Sequence, residues 1–350
     1  MSRYLRASLQ ALDPYVPGEQ PQDQQYIKLN TNESPYPPSP RVLEAVSTPE
    51  VEKLRLYSDP EARILVSAIA KRYGVGVDQV FVGNGSDEVL AFAFQAYGGG
   101  KVRFPALSYG FYPVFARLYG VSAEEIPLKE DFSIDPADYL DCGGTVVLAN
   151  PNAPTGLALS RAELEEIIAS NPDQVVLVDE AYVDFGGESC VPLLEKYGNL
   201  LVVQTFSKSR ALAGARLGFA LGSPELIADL NRIKFSFNPY NLNRLTILAG
   251  TAAMEDEDYF QSCVQRIQAT RSRVTEALRK LGFTVLDSQT NFVFTKPPAM
   301  SGRAYYQALR QRGILVRHWD RPLIAGWVRV TIGSETEMGR FIAVTEELQS

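Results

Sequence analysis

The chain of 350 residues is 45% hydrophobic and 21% charged, with a formal net charge of −7 and a pI near 5.1. That composition predicts one large or two moderate folded units with a substantial core. It argues against a nucleic-acid partner, which calls for a basic face. No apolar run approaches the roughly 18 residues of a membrane span, and Met1-Ser2-Arg3-Tyr4-Leu5-Arg6 lacks the apolar region of a signal peptide, so a cytoplasmic protein without membrane contacts is expected. Cys142, Cys190 and Cys263 are isolated from one another and His318 is the only histidine, which points away from a disulfide framework and from a zinc site, so no metal is expected.

Residues 1–45 read as a Pro-rich arm with an extended piece at 27–29 and a polar turn, Asn30-Thr31-Asn32-Glu33-Ser34-Pro35. Apolar spacing predicts a helix from Ser39 onward. After Tyr57-Ser58-Asp59-Pro60 it predicts another over 62–73, where Ile64, Leu65, Ala68, Ile69 and Tyr73 share a stripe. A strand at 79–82 enters Gly83-Asn84-Gly85-Ser86-Asp87-Glu88, and a helix over 89–97 follows. Glycines let the main chain approach a ligand, and the free N–H groups of a first helical turn can hold an anion, with Ser86 and Asp87 at the cap. A plain capped helix start satisfies the same pattern.

A strand at 101–104 leads to Tyr109, whose ring either covers a flat ligand or packs in the core. The apolar strand 145–149 ends in Asn150-Pro151-Asn152-Ala153-Pro154-Thr155-Gly156, dense in turn residues. A capping box, Ser160 with Glu163, starts a helix over 160–170. The strand 175–178 closes on Asp179-Glu180-Ala181-Tyr182. The strand 200–203 runs into Gln204-Thr205-Phe206-Ser207-Lys208, and Arg216 lies eight positions beyond the lysine, where 216–220 again reads as strand. Taken alone, this stretch is either an imine-forming lysine with a phosphate grip or an ordinary turn with a solvated lysine.

The alternation predicts an α/β fold, a mostly parallel central sheet with helices on both faces. Ligands of such sheets bind beyond the carboxyl ends of strands, and the loops bearing Ser86, Tyr109, Asn152, Asp179 and Lys208 all follow strands. Residues 224–280 read as helical, with a long run over 256–281. Strand-like segments at 283–285, 291–294, 315–317 and 327–331, with a helix over 304–312, make a smaller α+β unit. The expected division is 1–45 as an arm and part of the small domain, 46–264 as the large domain and 265–350 as the C-terminal small domain.

Asp179 ends an apolar strand, where an unpaired carboxylate is costly. A protonated ring nitrogen suits it, and pyridoxal phosphate supplies one together with an aldehyde, a phenolic oxygen and a phosphate. On that reading Asp179 meets the ring nitrogen, Tyr182 the phenolic oxygen and Lys208 the aldehyde. Tyr109 stacks on the ring, and Ser86, Asp87, Thr205, Ser207 and Arg216 hold the phosphate.

The order of these motifs resembles the fold-type I pyridoxal-phosphate transferases. With Leu29-Asn30-Thr31-Asn32-Glu33 and Tyr57-Ser58-Asp59-Pro60, it is similar to the histidinol-phosphate aminotransferase family over essentially the whole chain. The resemblance implies a homodimer with shared active sites and amino transfer between L-histidinol phosphate and 2-oxoglutarate, with glutamate formed, in histidine biosynthesis. By position it implies that Arg329, helped by Tyr15 and Arg317, binds the substrate anion. It also implies that Asn32 lies near the substrate, that Tyr57 reaches across the dimer to the partner's cofactor, and that Lys208 moves the proton.

Two departures stand out. Ala153 holds the place of the family's usual Asn beside the phenolic oxygen, so either Asn152 substitutes for it or Tyr182 acts without it. Ser34 replaces a common Asn, and neither change touches Lys208, Asp179 or Arg216. Rival readings are a threonine-phosphate decarboxylase, an aromatic amino-acid aminotransferase and, in another class, a non-catalytic ligand sensor. The sensor is disfavoured by the acidic charge and by the absence of a helix-turn-helix segment before the fold.

Overall fold

The structure is a computed structural model that describes residues 4–10 and 12–349. Residues 1–3, which belong to the N-terminal segment read above, lie outside the described residues. Its centre is a seven-stranded sheet. The strands are β2 (Val80–Gly83), β3 (Lys101–Pro105), β4 (Ser122–Ile126), β5 (Thr145–Ala149), β6 (Val176–Asp179), β7 (Leu200–Thr205) and β8 (Gly218–Gly222), in the order β2-β8-β7-β6-β5-β3-β4. All neighbours run parallel except β8, which is antiparallel to both β2 and β7. Every residue of β5, β6 and β7 is buried, which is why these strands read as unbroken apolar runs.

Alternate residues feed two cores. Val146, Leu148, Val178 and Val202 pack with Leu65, Ile69, Leu164 and Ile167 on one face. Val147, Leu177, Leu201 and Val203 pack with Val89, Leu90, Phe115 and Leu230 on the other. Helices therefore cover both faces, as expected. The edge strand β4 was not anticipated, because Ser122, Ala123 and Glu125 are exposed and leave no apolar signal.

A second sheet is antiparallel and has the order β12-β13-β10-β9. It comprises β9 (Thr284–Val285), β10 (Phe292–Lys296), β12 (Arg317–His318) and β13 (Val328–Thr331). Helices Glu257–Lys280, Gly302–Gln311 and Glu335–Gln349 share its core through Leu278, Leu309 and Phe341. The last of these helices was not anticipated. Short β1 (Ile27–Lys28) pairs in parallel with β11 (Ile314–Leu315), and the Thr331 N–H donates to the Leu29 carbonyl. The N-terminal arm is thus tied to the C-terminal sheet, and its turn at 30–33 is delivered to the edge of the large one. Among the described residues no helix is long and apolar enough to cross a membrane.

Two local expectations change. The helix from Ser39 is broken into Pro40–Ala45 and Thr48–Glu52. The strand read from 216 starts at Gly218, because Arg216 adopts a left-handed conformation, φ +53°.

Candidate active site

β7 delivers the lysine. Beyond Thr205 the loop folds back on itself: the Phe206 N–H donates to the Leu217 carbonyl and the Leu212 N–H to the Phe206 carbonyl. The Thr205 hydroxyl accepts from the Ser207 N–H at 3.1 Å and donates to the Ser207 hydroxyl at 3.0 Å. Lys208 then points at the N-terminal turn, where its Nζ donates to the Thr31 carbonyl at 3.2 Å. It sits 5.9 Å from the centre of the Tyr182 ring. Burial, reinforced by the positive charge of Arg329 and opposed by Glu33 and Asp87, pushes its amine down to about 8.

β6 delivers Asp179, which is 3% exposed. Its carboxylate accepts from the Tyr112 hydroxyl at 2.9 Å and the Ala181 N–H at 3.2 Å. Burial raises its pKa to about 6 in spite of those bonds. The next residue, Glu180, accepts from the Cys190 N–H and from Ser189 and Gln204, locking the turn that follows the strand. Tyr182 accepts from Asn32 Nδ2 at 2.8 Å. Asn32 is held at φ +56°, with its own N–H on Thr331 Oγ1 at 3.0 Å, a conformation that asparagine tolerates better than most residues.

The β2–helix junction forms an anion cup. The N-cap of helix Ser86–Tyr97 is Gly85, and no side chain caps it. The expectation that Ser86 and Asp87 cap this helix is therefore corrected: they occupy its first turn, where N–H groups lack intrahelical partners. Gly85 sits at φ +82°, and a Cβ there would lie 2.6 Å from Arg216 Nη2, so glycine is what lets the guanidinium lie over the turn. Asp87 accepts from Tyr109 at 2.7 Å and from Arg216 at 3.2 Å. Being an acceptor-only carboxylate, Asp87 can give an anion only its main-chain N–H.

Two cavities meet at the lysine. An inner one of about 340 Å³ is lined by Ser86, Asp87, Asp179, Thr205, Ser207 and Arg216, with Glu33 at its edge. An outer one of about 630 Å³ is lined by Tyr15, Asn32, Arg317, Trp319 and Arg329 among others. Both are bordered by Thr31, Tyr109, Ala153, Tyr182 and Lys208. Arg329 donates to the Asn30 carbonyl at 3.1 Å, while its buried Nε has no partner among the described residues. Its guanidinium lies 5.2 and 5.3 Å from the rings of Phe292 and Trp319. Arg317 donates to the carbonyls of Val16 and Pro17, and Tyr15 stacks on Phe111 at 4.3 Å. The inner cavity thus fits a flat ring carrying a carbonyl, a basic nitrogen and a phosphate, and the outer one fits an anionic substrate.

Residues 24–344 match the family described as aminotransferase class I and II. The chain belongs to that family. A histidinol-phosphate aminotransferase of Marinomonas sp. (strain MWYL1) is 52% identical, the alignment covering 99% of this chain and 100% of that one. Among solved structures, the histidinol-phosphate aminotransferase of Sinorhizobium meliloti in complex with pyridoxal-5'-phosphate superposes with a TM-score of 0.89 at 24% identity, over 100% of this chain and 98% of that chain. The L-threonine-O-3-phosphate decarboxylase of Porphyromonas gingivalis shares the fold with a TM-score of 0.80 at 23% identity, over 92% and 99%. The fold alone therefore does not separate these activities.

In this aminotransferase most of the residues singled out from sequence do converge. Ser86, Asp87, Tyr109, Asp179, Tyr182, Thr205, Ser207, Lys208 and Arg216 line the inner cavity, and Tyr15, Asn32, Arg317 and Arg329 line the outer one. Asn152 lines neither cavity: its amide is engaged by the Leu107 carbonyl, Thr155 and Ser108. Its neighbour Ala153 faces the site in its stead. Tyr57 is 82% exposed, stacks on Tyr240 at 4.4 Å and lines neither cavity of its own chain. Thr31, Glu33 and Tyr112 were missed. Thr31 contributes a carbonyl, which leaves no trace in sequence, whereas Tyr112 could have been found one helical turn after Tyr109.

Proposed function

We propose that this aminotransferase interconverts L-histidinol phosphate and 2-oxoglutarate with 3-(imidazol-4-yl)-2-oxopropyl phosphate and L-glutamate, using pyridoxal phosphate, in cytoplasmic histidine biosynthesis. The observation that carries the substrate is the 52% identity over the full length to a relative of that name. The inner cavity fits the cofactor by the chemistry of its donors: an amine of lowered basicity, a buried carboxylate and a cation beside free helical N–H groups. When bound, pyridoxal phosphate supplies an electron sink that acidifies the C–H bond beside the substrate's amino group.

Lys208 would hold the aldehyde of the bound cofactor. Freed by the substrate amine, it would take a proton from the substrate carbon and return it, and the burial that lowers its basicity favours the neutral, proton-accepting form. Asp179 keeps the ring nitrogen protonated, and Tyr182, steadied by Asn32, meets the phenolic oxygen. The ring of Tyr109 covers one face. Arg216, the N–H groups of Ser86 and Asp87, and the hydroxyls of Thr205 and Ser207 bind the cofactor phosphate. The planar fork of Arg329 suits the phosphate of one substrate and the carboxylate of the other, with Arg317 and Tyr15 beside it.

The working assembly is a homodimer. Support comes from Leu54, Leu56, Tyr57, Phe235, Phe237 and Tyr240, large apolar side chains left exposed in the single chain. Tyr57 serves the partner's site. The large domain spans 46–264, and 265–350 with the arm 1–45 makes the small one.

The test is a substrate panel on the purified protein. L-histidinol phosphate should change the absorbance of the bound cofactor, and 2-oxoglutarate should restore it. Carbon dioxide release from O-phosphothreonine would overturn the reading in favour of the decarboxylase, and turnover of aromatic amino acids alone in favour of an aromatic aminotransferase. Subunits carrying Tyr57→Phe mixed with subunits carrying Lys208→Ala should regain activity, because one site of each heterodimer is then intact. No recovery would confine Tyr57 to its own chain.

A further inference from the structure

Asp179 closes an apolar strand inside the molecule, and among the described residues two donors reach its carboxylate. One is the Ala181 N–H on Oδ1, at 3.2 Å, and the other is the Tyr112 hydroxyl on Oδ2, at 2.9 Å. Neither donor carries a formal charge. Tyr112 is the first residue of helix Tyr112–Tyr119 and is wholly buried. Phe94, Phe104 and Tyr109 surround its ring, with centroids 6.2, 5.7 and 5.7 Å away. Packing alone asks for a phenylalanine there. A buried phenol needs a partner for its O–H, and this one is spent on a carboxylate that lines the inner cavity.

We propose that Tyr112 is the positioning residue of Asp179, its hydroxyl fixing the carboxylate in the orientation that meets the ring nitrogen of the bound cofactor. The inference rests on reading the inner cavity as the pyridoxal phosphate chamber. It adds to the residues lining that cavity one that does not touch the ligand. Ala181 acts through the main chain and survives any side-chain change, so Tyr112 is the adjustable part of the clamp. Tyr109, three residues earlier, makes the matching bond to Asp87. One short segment thus supplies a phenol to two of the chamber's three carboxylates, Asp179 and Asp87, while Glu33 is held by Lys28 and Thr31.

The charged groups sharing the cavity with Asp179 are Asp87 from the first turn of helix Ser86–Tyr97, Arg216 and Lys208 from the loop after β7, and Glu33 from the N-terminal turn. The titratable phenols are Tyr109, Tyr112 and Tyr182. Losing the Tyr112 hydroxyl leaves Oδ2 buried without a donor, which favours the protonated acid. The folded-state value of Asp179 already stands above that of an unfolded aspartate. The stability it contributes is therefore complete at low pH and is lost as pH rises through the folded value. Removing the donor carries that loss to higher pH.

Two measurements on the cofactor-free full chain test the proposal. In the first, Tyr112→Phe should weaken binding of pyridoxal phosphate about tenfold. It should leave binding of the analogue with CH in place of the ring nitrogen unchanged, and should cost nothing further in an Asp179→Asn background. Equal losses for both ligands, or in both backgrounds, or no loss at all, overturn the proposal. In the second, the unfolding midpoint of Tyr112→Phe should fall further below that of the unsubstituted chain at pH 8 than at pH 5. A deficit that is the same at both values, including failure to fold at either, assigns Tyr112 to packing and also overturns it. If the unsubstituted chain does not bind pyridoxal phosphate, the cofactor reading itself fails. If it binds and Tyr112→Phe binds equally well, only the role of Tyr112 fails.

Discussion

The two cavities that share Lys208 are built in opposite ways. The inner one is walled by strand ends of the large sheet, and its polar groups are paired within the protein: Asp179 with Tyr112, Asp87 with Tyr109 and Arg216, Thr205 with Ser207. The outer one is walled on one side by the N-terminal arm, the turn at 30–32 and the C-terminal sheet, and on the other by the large domain's segment from Phe104 to Arg117. There Arg117, Arg317, Arg321 and Arg329 make no ion pair among the described residues, and Asp13 and Glu125 are the carboxylates on the same lining. In a chain of net charge −7 this is a local inversion of sign, which concentrates anions at the mouth. A paired, rigid chamber suits an occupant that stays, and unpaired cations suit anions that come and go.

The sharpest way to break the inner half is Lys208→Ala. Turnover should fall on the order of 10⁴-fold or more, since one side chain supplies both the covalent hold and the proton transfer. The anion cup should still bind cofactor without attaching it. Mass spectrometry after borohydride treatment checks this: cofactor still fixed to the variant would move the chemistry to another lysine. The outer half is broken by Arg329→Met, which should lower kcat/KM by roughly 100-fold for the phosphate substrate and the dicarboxylate alike, because a half-buried guanidinium able to bind either anion with two parallel N–H groups is lost. Steady-state kinetics of the two half-reactions decide it. A loss confined to one substrate would mean that the two anions use different arginines.

Gly85→Ala probes the cup between those extremes. The substitution puts a Cβ at φ +82°, 2.6 Å from Arg216 Nη2, so both the turn and the guanidinium must shift. A loss of about 1–3 kcal/mol of stability is expected from the strained main chain, together with weaker binding of inorganic phosphate. Chemical denaturation and phosphate titration measure the two effects, and unchanged phosphate binding would remove Arg216 from the cup.

The same contrast governs what the sequence disclosed. Strand ends in a doubly covered sheet announce themselves, because Asp179 and the Thr205–Lys208 hydroxyls and amine interrupt long apolar runs. The outer cavity is assembled by pairings some 300 residues apart, such as Thr331 with Asn32 and Arg329 with the Asn30 carbonyl, which no local pattern encodes. Arg329, Arg317 and Tyr15 were reached only by resemblance. Asn152 turns away from both cavities, and composition cannot say which side of a turn a side chain takes. Here the carbonyl of Leu107 and the hydroxyls of Ser108 and Thr155 drew it inward. β4 was missed because a half-exposed edge strand carries too few apolar residues to register.

The smallest effect tests whether the two halves communicate. After burial, the charge of Arg329 is the leading influence holding the Lys208 amine at about 8, so a group on the outer wall sets the basicity of a group serving the inner one. In the cofactor-free protein the neutral amine is the form that captures aldehydes. Capture followed by borohydride trapping should therefore be slow below pH 8 and rise through that value. Arg329→Met removes a like charge, which favours the protonated amine, so the rise should move toward the ordinary lysine range. Glu33→Gln removes an opposite charge from the same neighbourhood and should move it the other way. Pseudo-first-order capture rates across pH 6–10 for the three proteins read both displacements. If the Arg329→Met curve coincides with that of the unsubstituted protein, the basicity of Lys208 owes nothing to the outer wall, and the two cavities are electrostatically separate in spite of their shared wall.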